Sequence, residues 1–198
     1  MNKVKDLNKY DDVKLAEIKY GLEAFYLTIT KLIIIFIVAA IVGIFKEMLL
    51  TLLFYNMLRV FAFGMHASKS WICLLASALS FVGLPFLIKI IIIPTEIKII
   101  LSILLIIIFY LYAPADTKKR PLVRKERRDK YKFITVINAI IISVLALIID
   151  NHIITNSMIF GMIIEAILIS PITYKIFNHS YNNYETYVFS NDGLNVSS

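Results

Sequence analysis

One cysteine, Cys73, is the whole thiol content of the 198 residues. No intrachain disulfide can form, and His66 with Cys73 supplies too few ligands for a zinc site when no further cysteine exists. Acidic residues are scarce: 14 Asp and Glu stand against 21 Lys and Arg, for a net charge of +7. The apolar stretches lack the residue-by-residue alternation that a strand facing lipid on one side and water on the other requires, which excludes a β-barrel. The first twenty residues are charged and the first apolar run starts only near Leu27, so no cleavable signal peptide is expected. The basic segments carry neither the aromatic interleaving nor the fold signature of a nucleic-acid module, and no nucleic-acid partner is expected. No clear small-xxx-small spacing marks a helix-pairing face, and no motif calls for a cofactor or metal.

What the chain does have is hydrophobic residues, 59% of the total, with Ile, Leu and Phe in continuous blocks. Soluble domains hold about 45 to 50%, so the composition predicts an all-α, polytopic integral membrane protein. Several spans of about 20 residues use up nearly the whole length, which predicts one membrane-embedded domain over residues 1–198. Six apolar helical segments are expected: 25–45, 48–63, 71–93, 99–113, 133–149 and 156–177. The second is short and contains Arg59, so it either crosses or re-enters. Gly83 and Pro85 are expected to kink the third. Residues 2–20 interleave lysines with Val4, Leu7, Val13, Leu15 and Ile18, reading either as an amphipathic helix on an anionic membrane surface or as a solvated tail. Residues 114–132 read as one polar loop, and residues 178–198 as a mobile polar tail.

Orientation follows from the positive charges. The stretch 118–132 holds nine of the 21 Lys and Arg, and short loops rich in these residues stay in the cytoplasm. Counting spans outward from it places the start of the 71–93 segment, with His66 and Cys73, at the cytoplasmic face. The loop is also expected to grip anionic lipid.

A thiol and an imidazole at the polar boundary of a span are the parts a membrane-embedded cysteine protease needs. On an unbroken helix, positions 66 and 73 share a face but stand about 10.5 Å apart along the axis, too far for a hydrogen bond of roughly 3 Å. A break before Trp71 is therefore expected. Gly64 permits the reversal and Ser68 or Ser70 can cap the next helix. A Ser70 cap puts Cys73 in the first turn, where free N–H groups and the helix dipole favour a thiolate and can serve as an oxyanion hole. The plainer alternative makes Cys73 a small hydrophobe packed in an apolar helix, in a non-enzymatic membrane protein such as a peptide exporter. Arg59 and Lys69 then read as snorkelling anchors, and His152 and His179 as solvated residues of polar connections. No third group orienting His66 is evident; Asp116 and Asn56 are candidates, and a backbone carbonyl would suffice.

The pattern Arg59-x4-Gly64-x-His66-Ala67-x5-Cys73, with Ala113-Pro114-Ala115-Asp116-Thr117-Lys118-Lys119-Arg120-Pro121 after the next apolar stretch, resembles the AgrB family of membrane endopeptidases. One departure is Met65, where family members often have small or glycine neighbours. The resemblance implies a cysteine endopeptidase of a Gram-positive plasma membrane that processes an AgrD-like peptide precursor in quorum sensing. It implies Cys73 as nucleophile, His66 as general base, Arg59 and Gly64 as positions needed for activity, and Lys118, Lys119 and Arg120 as the family's basic residues. It also implies a homodimer. Cleavage would leave an acyl-enzyme thioester that a thiol or hydroxyl of the bound precursor opens to a cyclic thiolactone or lactone.

Overall fold

A computed structural model describes residues 12–65, 70–117 and 121–185. Among them no strand forms, and the elements in chain order are α1 (Asp12–Val42), α2 (Phe45–Ala62), α3 (Ser70–Ala78), a π-helical turn (Leu79–Gly83), α4 (Leu84–Ile90), α5 (Thr95–Tyr112), α6 (Lys125–Ile148), α7 (His152–Ile169) and α8 (Pro171–Ile176). Four helical runs are long and apolar enough to cross a membrane: Trp71–Ile90, α5, α6 and α7; a shorter apolar stretch, Ile29–Val42, lies in α1. Their outer faces leave large side chains such as Ile41, Ile100 and Ile148 uncovered, which only lipid can accommodate at low cost. The chain is a polytopic all-α membrane protein.

Several boundaries differ from the hydropathy reading, each for a local reason. Helix α1 runs unbroken from Asp12, joining residues 12–20 of the expected surface segment to the first apolar run; residues 2–11 lie outside the described ones. It closes at Gly43 in a Schellman turn, with Ile44 N–H donating to Ala39 O (2.9 Å) and Gly43 N–H to Ala40 O (3.1 Å). Helix α2 is not among the four long apolar helices, since it carries Lys46, Glu47, Asn56 and Arg59. The third segment, expected to kink at Gly83 and Pro85, stays helical there but changes its helix type. A π turn over Leu79–Gly83 precedes Pro85 and shifts the bonding register, with Leu84 N–H donating to Leu79 O, where the proline lacks an N–H of its own. The supposed loop 114–132 is helical from Lys125 onward. The last segment splits at Ser170, extended at ψ 133, because Pro171 cannot continue α7 and instead begins α8, which Ser170 Oγ caps by accepting from Ile172 N–H.

Helix α7 is the axis of the bundle. Of its membrane-length window 61% is buried, against 11 to 28% for the other three, and it packs most extensively on α2, then on α6, α5 and α4. Contact with α2 is close because Gly161 has no side chain: a Cβ there would sit 2.9 Å from Tyr55 N and 3.2 Å from Thr51 O. The spacing Ser157-x3-Gly161 is the small-residue pattern the sequence reading did not pick out, and here Gly161 pairs α7 with α2 of the same chain. Gly161→Ala would drive a methyl into backbone that cannot move alone. We expect it to cost about 1–3 kcal/mol, read as a lower unfolding temperature in detergent.

Candidate active site

Helix α2 ends because its next residues leave helical space: Phe63 has φ 62 and ψ −113, and Gly64 has φ +92. A phenylalanine at positive φ is strained, so the surroundings must hold it. A parallel bridge pairs Phe63 with Ala115, with Ala115 N–H donating to Ala62 O (2.9 Å) and Gly64 N–H to Ala115 O (2.8 Å). Met65 N–H then donates to Leu168 O (3.0 Å) at the end of α7. The connection leaving α2 is thus stitched to the segment after α5 on one side and to α7 on the other.

Arg59 completes the arrangement. Its Nη2 donates to Gly64 O (3.1 Å) and Met65 O (2.9 Å), and its Nη1 lies 3.5 Å from Glu165 Oε2 of α7. Glu165 is wholly buried and is the one acidic or basic residue between Ile153 and Ile169 of α7, and among the described residues neither of its oxygens accepts a hydrogen bond. Gly64 fits because there is no room for more: a Cβ would overlap Arg59 Nη1 and come within 3.0 Å of Leu168 O and 3.2 Å of Ile169 Cγ2.

The expected break before Trp71 is present. Helix α2 ends at Ala62, residues 63–65 are not helical, and the described chain is helical again from Ser70. Cys73 lies near the N-terminal end of the described stretch of α3, half-buried. Tyr55 lies one turn before Arg59 on the same face of α2. Of the residues singled out in the sequence, Arg59 and Gly64 meet in one clamp, and Cys73 lies on the next helix. His66, Lys118, Lys119 and Arg120 lie outside the described residues, as do Ala67, Lys69 and Ser68; of Ser70 only the backbone is described.

Asp116 and Asn56 have these partners among the described residues. Asp116 is buried, and its carboxylate accepts from Leu122 N (3.2 Å), Asn183 N (2.8 Å), Asn183 Nδ2 (3.3 Å) and Tyr184 N (2.8 Å). Asn56 Nδ2 donates within its own helix to Leu52 O. Residues 178–185, part of the stretch read as a mobile tail, are held by the Asp116 latch, by Tyr181 Oη donating to Tyr112 O (3.1 Å), and by Arg128 stacked 4.0 Å over the Tyr184 ring. Tyr174 Oη donates to Ala115 O (3.2 Å) and Asp116 O (2.9 Å), and burial pushes its phenol up, keeping it a donor. Asp116→Ala strips one acceptor from several buried N–H groups. It should destabilise the fold by about 3 kcal/mol and speed amide exchange at Asn183 and Tyr184 more than in α7.

Glu165 is the residue that sequence reasoning missed. The signal was present: a lone carboxylate inside an apolar span is a functional candidate by default. The Asn183 and Tyr184 contacts with Asp116 had no comparable signal, because they join positions 67 and 68 residues apart.

Comparison with known proteins agrees with this architecture. The model of the family described as Accessory gene regulator B matches residues 1–169. An AgrB-like protein of Clostridium acetobutylicum is 34% identical over 176 residues, covering 89% of this chain and 84% of its own length. One from Listeria innocua is 34% identical over 185 residues, covering 92% and 90%. The accessory gene regulator protein B of Staphylococcus aureus is 34% identical over 166 residues, covering 83% and 86%. No solved structure matches the chain.

Proposed function

Because the chain belongs to the accessory gene regulator B family, and with it to the agr quorum-sensing system, we propose that it is a membrane-embedded cysteine endopeptidase, a single domain that processes an AgrD-like precursor peptide. Cys73 is the nucleophile and His66 the general base. The observation that carries this reading is the backbone break after α2, where Arg59 clamps Gly64 and Met65, the residue before His66, with the only thiol on the helix that follows.

His66 takes the thiol proton, and the thiolate attacks the carbonyl carbon of the scissile peptide bond. First-turn N–H groups of α3 are suited to hold the resulting oxyanion. The C–N bond then breaks, His66 returns the proton to the departing amine, and a thioester on Cys73 remains. A thiol or hydroxyl within the bound precursor then gives its proton to His66 and attacks that thioester. Cys73 leaves as thiolate and the product closes as a thiolactone or lactone. Shelter from water favours ring closure over hydrolysis.

The site belongs at the cytoplasmic face of a Gram-positive plasma membrane, at the end of the bundle that also carries the basic run Arg124–Lys132. Lys118, Lys119 and Arg120 extend that run, which steers an acidic precursor tail and grips anionic lipid. A homodimer is the expected assembly. Mass spectrometry of the chain incubated with precursor tests the reading: a precursor fragment joined to Cys73 and released by hydroxylamine is expected, and processing that proceeds with no adduct on Cys73 under trapping conditions would sink it.

A further inference from the structure

The mechanism above uses Arg59 but leaves unexplained why an apolar helix carries a carboxylate at position 165. Glu165 is completely buried and no described hydrogen-bond donor serves it. A buried carboxylate at membrane depth is costly to keep; Glu165 Oε2 pairs with Arg59 Nη1 at 3.5 Å. The other terminal nitrogen of the same guanidinium grips the carbonyls of Gly64 and Met65. An arginine side chain has many rotamers, and a planar guanidinium is fixed in direction only when its nitrogens are engaged on more than one side. The Met65 N–H bond to Leu168 O comes from the same helix, less than one turn beyond Glu165. Helix α7 thus reaches the segment preceding His66 twice, directly through Leu168 and indirectly through Glu165 and Arg59.

We propose that Glu165 is a positioning residue of the peptidase site, orienting Arg59 so that the backbone leading into His66 is held in the geometry the dyad requires. This rests on the protease reading given above. Glu165 touches no substrate; its effect passes through Arg59, and displacement of a catalytic group by about 1 Å can cost 10²-fold in rate.

The experiment uses the full chain in detergent or nanodiscs with a precursor peptide, comparing Glu165→Gln, Arg59→Met, and the double variant Arg59→Met with Glu165→Leu. For Glu165→Gln, kcat is expected to fall between about tenfold and 100-fold with KM for the precursor within about twofold of the parent. A second readout needs no turnover: Cys73 is the only thiol, so its alkylation rate by iodoacetamide at neutral pH reports its environment directly. That rate should drop in Glu165→Gln to the level of His66→Ala. The double variant should fall no further than Arg59→Met alone, since the two groups act as one unit. Replacing both with apolar residues leaves no lone charge and so keeps the chain folded even if the single Gln variant aggregates. Parental kcat and alkylation rate in a folded Glu165→Gln protein would overturn the proposal, as would losses in the double variant that multiply. A Cys73→Ala chain that still cleaves would overturn the protease reading instead, so the two failures are separable.

Discussion

Cys73→Ala is expected to leave a folded, membrane-inserted protein whose cleavage of a co-expressed precursor has fallen by about three orders of magnitude or more. Removing a nucleophile deletes the covalent pathway itself, and what survives is only the contribution of binding and oxyanion stabilisation. The side chain is half-buried on α3, so losing one sulfur opens little space and costs little stability. Immunoblotting of the precursor with and without the variant reads the outcome, and an unchanged unfolding temperature shows that the fold has not been lost. A peptide exporter in which the thiol only packs would tolerate the change, so full processing by the alanine variant would favour that alternative.

Gly64→Ala is expected to have the second-largest effect, through geometry rather than chemistry. At φ +92 an alanine is strained, at a cost of order 1–3 kcal/mol, and its methyl group would overlap Arg59 Nη1 while pressing on Leu168 O at 3.0 Å. The carbonyl belongs to α7 and cannot yield, so the guanidinium has to. Once displaced, it releases the carbonyls of Gly64 and Met65 and its contact with Glu165. Processing should fall about 100-fold, with a moderate loss in unfolding temperature. An alanine variant with parental processing would show that the clamp is dispensable. Asp116→Ala offers a contrast: it loosens residues 180–185 while the Arg59 clamp is left in place, so its stability cost should exceed its effect on rate per folded molecule.

The site was legible in unequal parts. The 66-to-73 spacing required a helix break, and the break is there, because Phe63 and Gly64 both take positive φ. Arg59 and Gly64 stood out in the sequence, yet that they are parts of one clamp was invisible: a guanidinium meeting the carbonyls five and six residues ahead depends on how the chain turns after α2. Helix edges were misplaced where hydropathy and backbone chemistry disagree. Lys125–Lys132 is polar but helical, and Ser170-Pro171 is short but decisive.

Composition and unbroken apolar runs by themselves determined that this chain lives in a membrane as helices, since hydrocarbon leaves backbone polar groups no other partner. The lone thiol and its neighbourhood likewise determined which chemistry to look for. Only the tertiary structure decided that Glu165 on α7 faces Arg59, that Asp116 holds the chain at Asn183 and Tyr184, and that Gly161 sets how closely the two central helices approach. These are contacts between residues far apart in sequence. Their existence depends on helix rotation and crossing, which side-chain packing determines and local periodicity does not.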